Sequence, residues 1–477
     1  MRILVAIANY GFKNTEYLNR LMHEYQSMPC RVDIVVLSNV SKKFEPSIEV
    51  IVGLPTKDPW SLPFGHKKIF AERLEEYDLF IYSEDDTLIA WENINYFLQM
   101  TRILPDGHIG GFLRYELDST GVKWYPDFVG PYHWLPTSVK KVEEFTVAEF
   151  SNVHAACYVL TRDQLRKAIN SGGYLVEPHQ GRYDLLCSAA TDPYTQCGLV
   201  KVICISHIAG ALVHHLSNRY VGALGVNEDD FNRQVVFMLA PEFEQRPRQA
   251  LFAMTKYIDN IRWDKEYFGT PNHDILSMVS QKSRRILSVG CGYPSTEMAL
   301  VHNNHRVTVI PLDLIVGRIA TSRGIEVTEP NFDKAFHDLN GVLFDCIIFP
   351  DVLQHLKDPL DILSRAVSRL APDGELLISI PNFRYLKFLK HNFPYPLFKR
   401  WTYSKNLMQM VGRKHLEKWF RLIGVNEVQY QYAIEPQHLN RFKAPLAIGN
   451  SLLAFRLLAR GRKVKSQKVE ETKISDS

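Results

Sequence analysis

Apolar residues follow two rhythms along this chain. Short runs at Ile3–Ala8, Val32–Leu37, Leu79–Ser83, His108–Leu113 and Ala155–Leu160 are mostly apolar and end in polar or Gly-bearing turns, the pattern of strands buried on both faces. Between them Thr15–Gln26, His66–Glu76 and Arg162–Asn170 repeat apolar positions at helical spacing. That alternation predicts a parallel α/β sheet. Asn227–His273 is more charged and reads as a helical bridge, after which a second strand–helix series opens at Arg285 and runs to about Gln431. Ser451–Arg460 carries Leu452, Leu453, Phe455, Leu457 and Leu458 ahead of Arg462, Lys463 and Lys465, which predicts a basic amphipathic helix. Gly461–Ser477, rich in lysine and glutamate, reads as a disordered tail. The expected organisation is an α/β domain over 1–228, a helical linker over 229–278, a second α/β domain over 279–435, and the C-terminal helix with its tail over 436–477.

Composition narrows the class. A chain of 477 residues is too long for one ordinary core and suits two domains. A formal net charge of +4 with no long basic stripe argues against a nucleic-acid partner. The 7 cysteines show no CxxC spacing and predict reduced thiols in a cytoplasmic protein. Met1–Ala8 is too short an apolar run for a signal peptide and reads as a first strand. No window approaches the roughly 18–20 apolar residues of a membrane span.

Two motifs carry candidate chemistry. Leu79–Ser83 runs into Glu84-Asp85-Asp86, at the strand end where ligands of open parallel sheets bind. Adjacent acids repel one another, so they need either a solvated turn or a cation. A hard divalent ion, Mn²⁺ or Mg²⁺, held by one or two carboxylates and diphosphate oxygens fits the second case. The other motif is Ile286–Val289 followed by Gly290-Cys291-Gly292, a strand and a turn tight enough for a ligand to approach the backbone.

Over roughly 1–225 the chain resembles nucleotide-sugar glycosyltransferases of the GT-A fold. The likeness rests on a strand ending in Asn9-Tyr10, a second ending in Ser38-Asn39, the helix His66–Arg73, and Tyr82-Ser83-Glu84-Asp85-Asp86. It implies a mixed sheet in which Glu84 and Asp86 meet the metal and diphosphate, and Asn9 and Asn39 lie against the nucleotide. A late histidine of Val213-His214-His215-Leu216 would join the metal, with His214 taken for the part. An inverting member also needs a carboxylate base, for which Asp184 stands first, ahead of Asp192 and Glu177.

From about 280 to 430 the chain closely resembles class I S-adenosylmethionine-dependent methyltransferases, which implies a seven-stranded sheet. The matching segments are Gly290-Cys291-Gly292, the strand His305–Leu312 ending at Asp313, Phe344–Leu356, the turn Leu370–Glu375, and Leu376–Ile380 before Pro381-Asn382. The likeness puts Gly290 and Gly292 at the amino-acid end of the cofactor, Asp313 on its ribose, Asp333 near its adenine, and Asp351 and His355 beside the methyl group as the candidate catalytic residues. Tyr293-Pro294-Ser295 stands where the family usually has another small residue. The aromatic and basic insertion Phe383–Met410, which includes Tyr385, Trp401, Lys387 and Arg400, is the expected acceptor surface.

Together these likenesses imply a bifunctional enzyme that joins a sugar from a nucleotide donor to a glycan or lipid-linked glycan and O-methylates that acceptor. The C-terminal helix would give peripheral contact with the inner membrane face. Three rival readings are a methyltransferase with a non-catalytic glycan-binding module, a non-catalytic scaffold of a polysaccharide assembly complex, and methylation of a small molecule or protein unrelated to the sugar step.

Overall fold

The structure, a computed structural model, describes residues 1–253, 264–385, 407–434 and 450–463. It forms two compact units, Met1–Arg248 and Gln249–Ser477.

The first unit is built on β1 (Arg2–Asn9), β2 (Arg31–Ser38), β3 (Ile48–Val52), β4 (Leu79–Glu84) and β5 (Cys157–Thr161), in the order β5-β4-β1-β2-β3. All pairings are parallel except β4 with β5. Ile3 through Ile7 are wholly buried, which is why β1 reads as a continuous apolar run. The crossover helices Thr15–Ser27 and Gly65–Glu72 fall where their periodicity put them. His108–Leu113, expected as one strand, is two: His108–Gly110 and Leu113–Leu117, in different sheets. The break comes at Gly110-Gly111, where a Cβ on Gly111 would lie 2.3 Å from the Lys201 side chain. A further strand, β6 (Leu212–His215), runs parallel to Leu113–Leu117 and antiparallel to Thr87–Leu88, and so lies beside the acidic turn. Much of the expected bridge belongs to this unit, as the helices Glu228–Leu239 and Pro241–Glu244; residues 254–263 lie outside the described ones.

The second unit is a seven-stranded sheet of β7 (Arg285–Cys291), β8 (Arg306–Pro311), β9 (Glu326–Val327), β10 (Phe344–Pro350), β11 (Leu370–Pro381), β12 (Val425–Ile434) and β13 (Ala454–Lys463), in the order β9-β8-β7-β10-β11-β13-β12. Successive residues feed opposite cores: Leu287, Ile347, Leu376 and Leu457 one cluster, Ile286, Ile348, Leu377 and Leu458 the other. The expected turn Leu370–Glu375 is a bulge inside β11, where the partner of Phe344 is Leu370 but that of Cys346 is Glu375.

The C-terminal helix is corrected outright. After a helical turn at Asn450–Leu453 the chain is strand, and β13 pairs antiparallel with β11 and β12. Its apolar pattern suits either period locally, and insertion between two strands decides for extended backbone. Arg456 pairs with Asp351 and Asp274, Arg460 with Glu375, and Arg462 with Glu375 and Glu427. Lys463 donates to the Val367 and Leu370 carbonyls, so the described basic groups of this strand have partners within their own unit, while Lys465 and the rest of the expected tail lie outside the described residues. No described helix is long and apolar enough to cross a membrane. All seven cysteines are free thiols.

Candidate functional sites

In the first unit the strand order reverses between β1 and β4, and the crevice beyond their carboxyl ends is where such sheets bind ligands. A cavity of about 820 Å³ opens there, lined by Glu84, Asp85, Asp86, Asp184 and His215 among others. The three acids differ in environment. Asp85 accepts from Asn9 Nδ2 at 2.5 Å and Asn14 Nδ2 at 2.7 Å, yet burial still raises its pKa to about 6. Burial, reinforced by Asp86, pushes Glu84 to about 8, and its Oε1 has no hydrogen-bond partner. Asp86 is held below the usual range: burial opposes this, but His215 Nε2 at 3.2 Å prevails. His215 is itself fixed by Glu116, 2.6 Å from its Nδ1.

His214 points elsewhere. Its ring stacks on Tyr115 with centroids 4.8 Å apart and its Nε2 meets Asn218 Oδ1 at 3.2 Å. Neighbours on a strand face opposite ways, so only one of the pair could join Asp86, and the choice needed the register of β6. Among the described residues no three His, Cys, Asp or Glu side chains gather so as to hold a metal ion. Asp85 and Asp86 are partnered by protein groups, so the expected set Glu84, Asp86 and His214 is not assembled.

Asp184 reaches the cavity while capping the helix Leu185–Thr195, its Oδ1 accepting from Cys187 N at 2.8 Å. Asn9 and Asn39 are supports rather than lining: Asn9 holds Asp85, and Asn39 Oδ1 accepts from Gly11 N at 2.7 Å. Of the alternative bases, Glu177 is exposed and Asp192 is buried in an ion pair with Lys67, with His179 Nε2 at 3.1 Å. Lys67→Met would leave that carboxylate without its main partner. We expect a loss of about 3–5 kcal/mol in unfolding free energy. A chemical denaturation curve that moves by less than about 1 kcal/mol would show the pair to be dispensable.

In the second unit the reversal lies between β7 and β10, and a cavity of about 430 Å³ opens there. That size falls in the range of roughly 300–1,000 Å³ typical of small-molecule sites. Gly290 has φ +82°, and a Cβ on it would sit 2.4 Å from Val352 Cγ2. The turn leads into the helix Ser295–His302, whose first amides favour a carboxylate. Acids outnumber bases on the lining: Asp264, Glu266, Glu297 and Asp351 against Lys265 and Arg456. Such a wall suits a ligand bearing positive charge, and these residues fit the amino-acid end of S-adenosylmethionine.

The other expected residues divide. Asp351 lines the cavity with φ +53°, and its carboxylate takes Ser379 Oγ at 3.0 Å and Arg456 Nη2 at 2.9 Å. His355 does not line it. Its buried ring stacks on Phe252 at 5.2 Å, and burial with Lys265 lowers its pKa to about 3. Asp313 caps the helix Leu314–Ser322 through Ile315 N and Val316 N, both at 2.8 Å, and also accepts from the Tyr267 hydroxyl. It is 1% exposed and absent from the cavity lining. Asp333 is exposed and paired with Arg365 at 2.9 Å. Of the aromatic insertion, Tyr385 lines the cavity, while 386–406 lie outside the described residues.

The sequence reading missed Lys265, Tyr267, Glu297 and Arg456. Lys265 donates to Pro350 O, Glu297 accepts from Ser288 Oγ at 2.6 Å, and the Tyr267 carbonyl accepts from Tyr293 N at 2.5 Å. For Lys265 and Tyr267 the only local signal was a charged stretch before β7, and Glu297 and Arg456 lie in segments read for other features.

Residues 263–430 match the family model of a methyltransferase domain. A ubiquinone biosynthesis O-methyltransferase of Xylella fastidiosa (strain M23) is 30% identical over 120 residues, 24% of this chain and 49% of that protein. The protein of that name from strain 9a5c is 28% identical over 140 residues, 27% of this chain and 57% of that protein. The chain thus spans about half the length of the curated relatives it matches. A solved SAM-dependent methyltransferase from Archaeoglobus fulgidus is 16% identical, with a TM-score of 0.31 over 38% of this chain and 87% of that one. The second unit therefore carries a class I S-adenosylmethionine-dependent methyltransferase domain.

Proposed function

We propose that the second unit methylates a hydroxyl, with a glycan or related acceptor as substrate. The observation that carries this is the glycine turn at the β7–β10 reversal, opening into an acid-lined cavity at a helix N-terminus. The relatives' name, O-methyltransferase, supports an oxygen acceptor. S-adenosylmethionine, when bound, supplies an electrophilic methyl group on a sulfonium. Gly290 and Gly292 hold the backbone close, and Glu297 and Asp351 face the cationic ligand. Asp351 is engaged by Arg456 and Ser379, and His355 is buried away from the lining. The chain's contribution is thus positioning and charge rather than general-base catalysis by either residue.

A second reading, glycosyl transfer in the first unit, is supported by the convergence of Glu84, Asp85, Asp86, Asp184 and His215 at the β1–β4 reversal. In it, a nucleotide sugar would sit in the crevice and Asp184 would serve as base for the acceptor hydroxyl. Two such activities in one chain would raise the effective concentration of a shared glycan. Mn²⁺ or Mg²⁺ would enter only through Glu84 and Asp86 together with the donor's own oxygens.

Thermal shift of the full chain tests both readings, with S-adenosylmethionine and with a panel of UDP-, GDP-, dTDP- and CMP-sugars, each with Mn²⁺ and with EDTA. A ligand at 100 times its Kd should stabilise the unit that binds it by about 2.7 kcal/mol. Separate responses to the cofactor and to one donor are expected. No response to S-adenosylmethionine would overturn the methyl-transfer reading, and no response to any donor would overturn the glycosyl-transfer reading.

A further inference from the structure

His154, like Glu84, is a residue of the first unit's cavity with a buried polar atom that has no hydrogen-bond partner. It lines the cavity, is 6% exposed, and its Nδ1 is buried with no hydrogen-bond partner. Its other nitrogen, Nε2, lies 3.7 Å from Cys187 Sγ. A buried ring nitrogen without a partner forgoes hydration and receives nothing in exchange, so an arrangement that keeps one is held in place by its surroundings. Those surroundings are rigid. Asn152 Oδ1 accepts from His154 N at 3.1 Å and from the Tyr183 hydroxyl at 3.2 Å, and that hydroxyl also accepts from Val153 N at 3.0 Å. Two residues on, Ala156 has φ +56°, a backbone conformation unfavourable for a residue with a Cβ. Strain of that kind collects at ligand sites.

Position narrows the ligand's chemistry. The Ala156 carbonyl accepts from Glu84 N at 3.0 Å, so the His154 loop adjoins the acidic turn on the β5 side of β4. A ligand seated at the β1–β4 crevice and extended across β4 would present its far end to His154. Neither side chain of the pair is charged at neutral pH. Burial, with Arg114 and Lys201 nearby, holds the imidazole well below its usual range, and burial holds the Cys187 thiol above its own. Either tautomer of the ring leaves Nδ1 one bond short, as donor or as acceptor. A hydroxyl can meet both demands, whereas a phosphate or carboxylate can only accept.

We infer that His154 is a positioning residue for the sugar end of the first unit's ligand, bonding a sugar hydroxyl through Nδ1. This rests on the reading that the cavity takes a nucleotide sugar. The test is calorimetric titration of the full chain with the nucleotide sugar from the panel that binds the wild type, and in parallel with the matching nucleoside diphosphate. His154→Ala should weaken the nucleotide sugar by about tenfold or more and leave the nucleoside diphosphate within about twofold. His154→Asn, which keeps a neutral group able to donate and accept, should recover most of that loss. The sugar-dependent increment should also be flat from pH 6 to 8, because the ring stays uncharged throughout that range. Equal loss of both ligands, or loss of neither, would overturn the role of His154 while the nucleotide-sugar reading stands. Absence of binding by the wild type to every member of the panel would overturn that reading and the inference with it.

Discussion

Gly290→Ala should remove binding of S-adenosylhomocysteine, raising its Kd by about 100-fold or more. Two independent effects act at this position. The φ of +82° costs a residue with a Cβ about 1–2 kcal/mol, and the added carbon would lie 2.4 Å from Val352 Cγ2. Val352 is wholly buried next to Asp351, so it cannot retreat without disturbing the cavity wall. The turn must therefore shift, and with it the backbone a cofactor would approach. We expect a stability loss of about 2–4 kcal/mol, so the titration belongs at a temperature where both proteins are folded. Asp333→Ala is the matched control: that residue is exposed and paired with Arg365, and should leave affinity within about twofold. Gly290→Ala binding within about threefold of wild type would exclude this turn as the cofactor cradle.

Glu84→Gln should stabilise the protein at alkaline pH and flatten part of its pH dependence. Burial and Asp86 raise the folded-state pKa of Glu84 from 4.5 to about 8. Below about 4.5 the carboxyl is protonated in both folded and unfolded chains. Between that value and about 8 the folded chain retains a proton the unfolded chain has released, so this group's contribution falls steadily as pH rises. Glutamine keeps the neutral shape throughout. The variant should therefore gain on wild type across that window, by on the order of 3 kcal/mol at pH 8. Unfolding of both full-length proteins in EDTA at pH 5, 6.5 and 8 measures the difference. A constant difference would show that Glu84 ionises normally.

Legibility differed by level. Buried strands were plain because β1, β7 and β10 are apolar on both faces and stay so whatever their neighbours. The glycine and carboxylate motifs were legible because each occupies consecutive positions at a strand end. His214 and His215 were not separable, since the choice depends on which face of β6 turns toward Asp86. Asp313 was legible as an acid at a strand end, but not as one already bonded to Tyr267, which lies 46 positions earlier in the chain. His154 carried no local signal at all.

What the amino-acid order determined unaided was every feature set by near neighbours: the α/β alternation, the turns at strand ends, the glycine turn, the acidic turn and the free cysteines. What the tertiary structure alone decided was each matter settled by a distant partner. Ala454–Lys463 is a strand because β11 and β12 leave a place between them and its arginines meet Asp351, Glu375 and Glu427 there. The physical reason is one of range. Backbone preference separates helix from strand by only about 1 kcal/mol per residue, and a full ladder of hydrogen bonds with two buried faces outweighs it.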